Sequence, residues 1–336
     1  MILVTGATGL VGSHLLVKLI KEKHQVRALY RTESKKEQAR KVFSYYFEDQ
    51  EKNLFDTIEW FQASIDDVPA LSEAFNDIDY VYHCAAMISF NPAHYKKLRK
   101  VNIEGTANIV NLCLIHNVKK LCHVSSIAAI GKDLTQPSID ETTEWNPEIP
   151  NSVYAITKYG AEMEVWRGTQ EGLNAVIVNP GIIIGPGFFS SGSGFLFKKI
   201  YSGMKYYTTG TTGYVSIDDV INIMYTLTTG TYSNKNYILI GENLSYKTAF
   251  TTIAEALNKP KPTKKATPFL LKVAYYLQLW SHFFFRTKRS VFRSSIQSAF
   301  ANNYYKNDKI KKELTYSFIP IKKAIKETAT VFLKEV

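Results

Sequence analysis

A tyrosine and a lysine four residues apart are the first candidates for chemistry in this sequence. They are Tyr154 and Lys158 in the segment SVYAITKYG, and on a helix this spacing places both side chains on one face. A neighbouring ammonium stabilises a phenolate and so lowers the pKa of the phenol. We therefore expect Tyr154 to exchange a proton with a carbonyl oxygen as hydride arrives at the carbon. An ordinary pair on a helix surface is the alternative.

Two serines upstream end a predicted strand in the segment LCHVSSIAAIG, as Ser125 and Ser126. A hydroxyl at the carboxyl end of a strand faces the crevice in which doubly wound sheets bind ligands. There it could hydrogen-bond a substrate oxygen beside Tyr154 and stabilise developing charge. A serine pair that only caps a turn is the alternative. Neither serine lies in a Gly-x-Ser-x-Gly elbow, and no Cys/His cluster predicts a metal site, so hydrolase and metal chemistry are not expected.

Three glycines near the start, Gly6, Gly9 and Gly12, follow an apolar strand and open a helical pattern. This context is typical of dinucleotide-binding turns. Gly6 would allow the tight turn, Gly9 would let the backbone approach a diphosphate, and Gly12 would let the helix pack on the strand. The helix N-terminus would then present free N–H groups to phosphate. A glycine-rich turn without a ligand is the alternative.

The second predicted strand ends in VRALYRTESKK, where an acidic residue would be expected to bind the ribose 2′-hydroxyl of NAD. The chain has Tyr30 and Arg31 at this point, and no acid occurs before Glu33. The planar donor fork of Arg31 suits a 2′-phosphate, so NADP is the predicted cofactor, with NAD as the alternative. A surface arginine without this role is the other interpretation.

Apolar runs alternate with helical patterns through the first two thirds of the chain. Such strands predict a parallel sheet covered on both faces. The predicted strands are Ile2–Thr5, Gln25–Tyr30, Ile58–Gln62, Tyr80–Cys84, Lys120–Ser125 and Ala175–Val178, and the helical patterns include Gly12–Glu22, Leu71–Phe75, Asn102–His116 and Tyr154–Gly172.

The residue composition changes after Pro180, where a segment rich in glycine and aromatic residues predicts a loop over a ligand. The later segments YVSIDDV and NYILIGEN predict a return to the sheet. An apolar helix is then predicted over Phe269–Phe285, too interrupted by polar residues to span a bilayer. It is interpreted as a lid of an apolar pocket, as an interfacial helix, or as subunit interface or core. The basic residues that flank it are Lys264, Lys265, Arg286, Lys288 and Arg289.

The net charge of +11 is concentrated in the C-terminal quarter. Residues 259–336 carry 17 Lys and Arg against 4 Asp and Glu, whereas the rest carries 24 against 26. Such a face favours anionic lipid, an acidic partner or a phosphate-bearing substrate, or is simply solvated. The three cysteines lie in apolar runs and predict no disulfide framework, and no signal peptide is expected. A cytoplasmic location is therefore predicted.

Taken together, these segments resemble the extended short-chain dehydrogenase/reductase family. The matching elements occur in the family's order over most of the chain: TGATGLVG, HCAA, VNIEGT, VSSIAAIG, YAITK, NPGIIIGPG and YVSIDDV. The resemblance implies a nicotinamide cofactor and a catalytic set of Ser126, Tyr154 and Lys158, with Lys158 also holding the nicotinamide ribose. Ser126 is chosen over Ser125 by its distance from Gly131, a glycine position of the family.

The resemblance also implies the fold and the cofactor contacts. It implies an α/β fold, a doubly wound parallel Rossmann sheet (1–180, with 214–245 returning to it) and a smaller, mainly helical C-terminal substrate lobe (181–213 and 246–336). Asn102 and Thr106 match a helix start that supports the site. Beyond Gly6, Gly9, Gly12, Arg31, Tyr154 and Lys158, the implied cofactor contacts are Thr8, Leu10, Val11, Ser64, Ile65, Cys84, Ala85, Ala86, Asn102, Pro180, Gly181 and Ile183.

Two positions argue against a nucleotide-sugar substrate. The nucleotide-sugar enzymes of the family carry an Arg and a Tyr at positions where this chain has Asn179 and Ile184. The form NPGIIIGPG is more similar to the dihydroflavonol-reductase and 3β-hydroxysteroid-dehydrogenase branches. We therefore expect an NADP-dependent reductase of an apolar ketone or aldehyde, or the reverse alcohol dehydrogenase, with a homodimer as its assembly and no nucleic-acid partner. The alternatives are a nucleotide-sugar epimerase or dehydratase with bound NAD, and a non-catalytic nucleotide-binding or membrane-recruited module.

Overall fold

The computed structural model describes residues 1–47, 54–132, 138–286 and 291–336. Lys288 and Arg289, two of the predicted basic flanks, lie outside the described residues. The strands are β1 (Ile2–Thr5), β2 (Val26–Tyr30), β3 (Glu59–Gln62), β4 (Tyr80–His83), β5 (Lys120–Val124), β6 (Ser138–Ile139), β7 (Ala175–Pro180), β8 (Ile182–Ile184), β9 (Tyr206–Tyr207), β10 (Thr211–Ser216), β11 (Lys235–Leu239), β12 (Glu242–Ser245), β13 (Lys264–Lys265) and β14 (Tyr304–Tyr305).

The helices alternate with the strands through the first two thirds of the chain, as predicted. They are α1 (Leu10–Lys21), α2 (Glu33–Phe43), α3 (Val68–Ala74), α4 (Tyr95–Leu98), α5 (Gly105–Ile115), α6 (Val153–Gln170), α7 (Gly194–Tyr201), α8 (Ile217–Thr229), α9 (Tyr246–Ala256), α10 (Pro268–Phe285), α11 (Arg293–Phe300), α12 (Asp308–Leu314) and α13 (Ile321–Glu335). The helix predicted over Asn102–His116 begins earlier, because residues 99–104 form π-helical turns that run into α5.

Seven parallel strands form the main sheet in the order β11-β7-β5-β4-β1-β2-β3. The strand order reverses between β1 and β4. Because the connections that follow these two strands run in opposite directions, they leave a crevice at the carboxyl ends of the strands. The predicted doubly wound Rossmann sheet is confirmed.

Helices cover both faces of this sheet. On one face α1 packs against α2 and α8, through buried residues such as Leu16 and Ile223. On the other face α3, α5 and α6 bury a second cluster that includes Ile109 and Val165. Because both faces are covered, the strands read as continuous apolar runs rather than alternating ones.

A second lobe is built around a three-stranded sheet in the order β12-β10-β8, with α7, α9 and α13 packed against it around Phe197 and Phe332. The segment YVSIDDV therefore corrects one expectation, because its strand β10 belongs to this sheet and pairs with Ile182–Ile184. Residues 236–239 of the segment NYILIGEN do return to the main sheet, in β11 beside β7, whereas its last two residues, Glu242 and Asn243, belong to β12 of the second sheet.

Candidate active site

The glycine turn after β1 fits tightly into the crevice of the sheet. Gly6 has φ +65°, a left-handed conformation that favours glycine, and a Cβ there would lie 2.5 Å from the backbone nitrogen of Ala85. A Cβ on Gly12 would lie 2.2 Å from the Gly6 carbonyl oxygen. These two glycines therefore let β1, α1 and the end of β4 meet at close range.

Gly9 differs from its two neighbours because a Cβ there would meet only the Gly6 oxygen, at an ordinary 3.4 Å. Gly9 caps α1 without a side-chain hydrogen bond, so no side chain covers the first N–H groups of the helix. Such a helix start attracts an anion through its free donors and its dipole. The turn thus has the shape and the donors that a dinucleotide diphosphate needs.

The predicted catalytic residues come together at the carboxyl end of β5. Ser126 caps a short 3₁₀ turn, where its hydroxyl accepts from the Ala128 backbone N–H at 3.1 Å and lies near enough to Tyr154, in the first turn of α6, to lower the pKa of its phenol. The Ser152 hydroxyl accepts from the Ala155 backbone N–H and so fixes where α6 begins. The ring of Phe90 packs edge-on to Tyr154, with 5.6 Å between the centroids.

Lys158 lies one turn further along α6, 1% exposed, and its Nζ donates a hydrogen bond of 2.8 Å to the backbone oxygen of Val124. Burial lowers the pKa of Lys158 to about 8, while the charges of Glu162 and Cys84 act in the opposite direction. At neutral pH the ammonium of Lys158 is therefore mostly protonated. The electrostatic influence of Cys84 on this ammonium indicates that Lys158 lies near the end of β4, against which Gly6 also packs.

The two serines of VSSIAAIG have different partners. The Ser125 hydroxyl donates to the carboxylate of Glu162 at 2.7 Å. The Ser126 hydroxyl is the one that influences Tyr154, whose pKa it lowers. Gly131, which guided the choice between them, lies so close to the Glu144 carbonyl that a Cβ would come within 1.6 Å of its oxygen. The geometry is therefore consistent with the choice of Ser126, whose catalytic role stays a prediction.

Sequence reasoning missed Glu162, which is 4% exposed and lies one helical turn beyond Lys158. Asn179 at the end of β7 donates to the same carboxylate oxygen as Ser125, at 2.8 Å. Burial raises the pKa of Glu162, and these two hydrogen bonds and the charge of Lys158 oppose that rise. The only sequence signal is the spacing 154, 158 and 162, which puts an acid on the face that carries the catalytic pair.

One electrostatic expectation needs correction. We expected Lys158 to lower the pKa of Tyr154, but burial raises it above its ordinary value, and the hydrogen bond with Ser126 offsets this only in part. The physical reason is that the Lys158 ammonium is directed to the Val124 carbonyl, so the desolvation of the phenol dominates.

The other predicted cofactor residues line the same end of the sheet or brace it. Asn102 is buried, and its amide bonds Met87 and the Thr157 hydroxyl, so it ties the loop after β4 to α6. Ile65 is buried against Gly105, while Ser64 is half-buried and hydrogen-bonds Asp66. Of the remaining residues Thr8, Leu10, Val11, Cys84, Ala85, Pro180, Gly181 and Ile183 are buried or half-buried and Ala86 is exposed. Their contacts with a cofactor stay predictions.

Arg31 follows β2 directly and is exposed. Over the residues that the structure describes, its guanidinium has no ion-pair partner, although its backbone oxygen accepts from Gln62 at 3.2 Å. Lys36 lies over the ring of Tyr30 nearby, 5.5 Å from the ring centroid. Lys36 also pairs with Glu33 at 3.6 Å, so Arg31 is the cation at the end of β2 that has no acidic partner among the described residues.

Comparison with known proteins identifies the family to which this chain belongs. The sequence profile of the NAD-dependent epimerase/dehydratase family matches residues 2–240. The chain belongs to this family. The predicted extended short-chain dehydrogenase/reductase resemblance is thereby confirmed, and a dihydroflavonol 4-reductase among the relatives agrees with the predicted branch.

Three similar proteins show the breadth of the family. Sterol demethylase protein B of Methylococcus capsulatus is 25% identical over 274 residues, 80% of this chain and 78% of its own length. Tetraketide alpha-pyrone reductase 2 of Arabidopsis thaliana is 30% identical over 233 residues, 65% of this chain and 71% of its own. The crystal structure of gox2253 superposes with a TM-score of 0.80 at 26% identity, over 100% of this chain and 98% of that one.

This family member is an NAD(P)-dependent oxidoreductase, as predicted, and its residues fit the nicotinamide cofactor. The fit rests on the open cradle at Gly9 and on the uncapped start of α1. The two positions that differ from the nucleotide-sugar enzymes, Asn179 and Ile184, are both buried and turned into the protein. Within the described ranges, no cluster of His, Cys, Asp and Glu could hold a metal ion.

Proposed function

We propose that this protein is an NADP-dependent reductase of a ketone or aldehyde group on an apolar small molecule, or a dehydrogenase of the corresponding alcohol. The observation that supports the proposal is the convergence of Ser126, Tyr154 and Lys158 at the carboxyl end of β5, where Ser126 influences the Tyr154 phenol and Lys158 Nζ binds the Val124 carbonyl oxygen. A proton donor, a second hydroxyl and a cation are thus available at the same end of the sheet as the glycine turn.

Each of these residues has a defined task. The bound cofactor supplies the hydride. The phenol of Tyr154 donates its proton to the carbonyl oxygen, and the Ser126 hydroxyl donates a hydrogen bond to that oxygen as its charge grows. The task proposed for Lys158 is to stabilise the phenolate that is left, because burial alone disfavours that phenolate; for this the ammonium must turn from the Val124 carbonyl oxygen toward the phenol. In the alcohol direction the same groups act in reverse.

The preference for NADP is supported by the end of β2. Arg31 offers five donors in a planar fork, and its charge has no acidic partner over the described residues, so it is available to a 2′-phosphate. The acid that would bind a free ribose hydroxyl is absent before Glu33 in the sequence.

An apolar substrate is supported by the family's reductase relatives and by the burial of Asn179 and Ile184. Those two side chains are not available to a nucleotide-sugar substrate, which disfavours the epimerase or dehydratase alternative. The relatives include a protein named for a sterol and one for a pyrone, and we extend only the shared apolar character of such ligands to this chain.

The decisive variant is Tyr154→Phe, which removes one hydroxyl and keeps the ring. We expect it to abolish turnover in a screen of carbonyl and alcohol substrates, read by nicotinamide absorbance, while NADPH affinity stays within about twofold. Full activity in this variant would refute the proposal. Purified protein that carries tightly bound NAD and shows no response to NADPH would instead support an epimerase or dehydratase.

We also propose a cytoplasmic homodimer paired through helices, on the strength of the family resemblance and of three cysteines that are all free thiols. Light scattering coupled to size-exclusion chromatography tests the assembly. A mass of one chain at micromolar concentration would exclude a stable dimer.

A further inference from the structure

The helix α10 exposes an unusual apolar surface. Large hydrophobic side chains recur along it at intervals of three and four residues, so they form one stripe. Trp280 is 66% exposed and Phe269 is 75% exposed. Large exposed apolar patches are uncommon on protein surfaces and usually mark binding sites. The exposed residues of α10 are Phe269, Leu270, Val273, Tyr276, Leu277, Leu279, Trp280, Phe284 and Phe285.

The side of α10 that faces the protein is mixed, because Leu271, Ala274 and Tyr275 are half-buried there together with Gln278 and Ser281. The amide oxygen of Gln278 accepts a hydrogen bond of 3.0 Å from the backbone N–H of Val291, just before α11, against which α10 packs. Ser281 lies on the same half-buried side. A surface helix normally buries its apolar stripe and exposes its polar one. In α10 apolar side chains lie on both sides of the helix, so a large apolar stripe remains exposed although the opposite side packs on the protein.

The charge around this stripe is mainly positive. Residues 256–307 contain ten lysines and arginines and no acidic residue, and two of these cations form ion pairs with acids outside the segment, Lys261 with Glu255 and Lys306 with Asp140. Lys264 and Lys265 are exposed just before α10, Lys272 is exposed beside the stripe, and Arg286 is exposed directly after it. The surface therefore combines an apolar centre with a cationic border.

We propose that α10 docks this protein on an anionic membrane surface, with the helix lying in the interface plane. Only a lipid bilayer offers negative headgroups and an apolar layer within a few ångströms of each other. Nucleic acid would match the charge but would leave the apolar stripe in water. A second copy of the chain would bring two strongly cationic surfaces together, which disfavours a two-fold contact here.

The aromatic residues of the stripe suit this orientation. Trp280 and Tyr276 have rings with one polar edge, and such side chains concentrate at the boundary between headgroups and acyl chains. Over the residues that the structure describes, no helix has the length and apolar character to cross a bilayer. The docking is therefore peripheral, and it is independent of which carbonyl compound the enzyme reduces.

The test uses the full chain and vesicles of two compositions, phosphatidylcholine alone and phosphatidylcholine with about 30% phosphatidylglycerol. We expect the protein to sediment only with the anionic vesicles, with a blue shift of tryptophan emission, and to be released by high salt. The double variant Leu277→Ala with Trp280→Ala should lose sedimentation. The double variant Lys264→Ala with Lys265→Ala should lower the partition coefficient roughly 10- to 30-fold.

Matched controls separate this surface from general properties of the chain. Ile115→Ala removes an exposed apolar side chain on α5, and Lys311→Ala with Lys312→Ala removes two exposed lysines on α12. Both should sediment like the unmodified chain. The proposal would be overturned if the unmodified chain did not sediment with vesicles, or if the α10 variants sedimented as well as the unmodified chain. It would also be overturned if the chain bound no vesicles but formed a dimer that the double variant Leu277→Ala with Trp280→Ala dissociates.

Discussion

The carboxylate of Glu162 lies one helical turn beyond Lys158 and raises the pKa of its ammonium, against a burial that lowers it. The carboxylate is itself held by Ser125 and Asn179, at 2.7 and 2.8 Å. Glu162 contacts neither Tyr154 nor Ser126 in any described hydrogen bond. We therefore regard it as a positioning residue that acts through Lys158.

Glu162→Gln should shift the pH dependence of the reaction. The negative charge of Glu162 raises the pKa of Lys158, and burial lowers it. When the substitution removes that charge, the pKa of Lys158 falls below about 8. The ammonium then loses its proton at a lower pH, and the alkaline limb of the kcat/KM profile should move down by about one pH unit. The measurement is kcat/KM between pH 6 and pH 10 with a fixed substrate.

Glu164→Gln is the control for this shift, because Glu164 is on the same helix and its carboxylate pairs with Arg167 at 2.9 Å. Its profile should match that of the unmodified enzyme. A Glu162→Gln enzyme with a lower kcat but an unmoved alkaline limb would show that Glu162 is only structural.

Gly9→Ala should separate cofactor binding from folding. The added methyl group meets only the Gly6 oxygen at 3.4 Å, and the backbone of Gly9 has a φ of −102°, which alanine adopts freely. We expect the Tm to stay within a few degrees of the unmodified value while the Kd for NADPH rises at least about tenfold, because the methyl blocks the approach of the diphosphate. Calorimetric titration and a thermal melt give the two values.

Gly12→Ala is the matched contrast, because its methyl group would lie 2.2 Å from the Gly6 oxygen. This variant should lose stability first and cofactor binding as a consequence. If Gly9→Ala binds NADPH normally, the cradle at α1 is not the diphosphate site.

The main sheet and the glycine turn were predictable because they depend on local sequence. Gly6 and Gly12 are required by short-range contacts that any chain with this turn must make. The choice of Ser126 over Ser125 came from its distance to Gly131 and stays a prediction, although the two hydroxyls do have different partners, Glu162 for Ser125 and the Ala128 N–H for Ser126. The order of the segments then placed Tyr154 on the helix that faces Ser126.

The burial of Glu162 could not be predicted, because it depends on partners 37 and 17 residues away in the sequence. A glutamate on a helix is ordinarily exposed, and nothing local signals that Ser125 and Asn179 will reach it. Strand β10 was assigned to the wrong sheet for a similar reason. Its residues are buried throughout, and burial alone does not indicate which sheet a strand joins.

Arg31→Ala should change cofactor preference. A charge-assisted bond from arginine to a phosphate is worth about 1.5–3 kcal/mol, so kcat/KM with NADPH should fall roughly 10- to 100-fold. The value with NADH should change less than about threefold, since NADH has no 2′-phosphate. Arg40→Ala is the control, because the Arg40 guanidinium on α2 is already held by Asp56 at 3.0 Å. An equal loss with both cofactors would contradict the NADP assignment.

His14 should make the fold sensitive to acid. Burial lowers its pKa from 6.5 to about 4, and its ring lies between the Tyr46 hydroxyl at 2.8 Å and the Pro186 oxygen at 3.0 Å. The unfolded chain therefore binds a proton below pH 6.5 that the folded chain takes up only near pH 4. The free energy of unfolding should fall across this range, by about 3 kcal/mol from His14 alone.

Urea denaturation at intervals from pH 7 to pH 4 measures this dependence. His14→Gln keeps a donor and an acceptor but does not titrate, so its slope should be shallower than that of the unmodified chain. His94→Gln, at an exposed histidine, should leave the slope unchanged. His83, whose pKa is lowered to about 3 by burial, accounts for part of the dependence that remains. Parallel slopes for all three proteins would show that His14 is protonated without cost in the folded state.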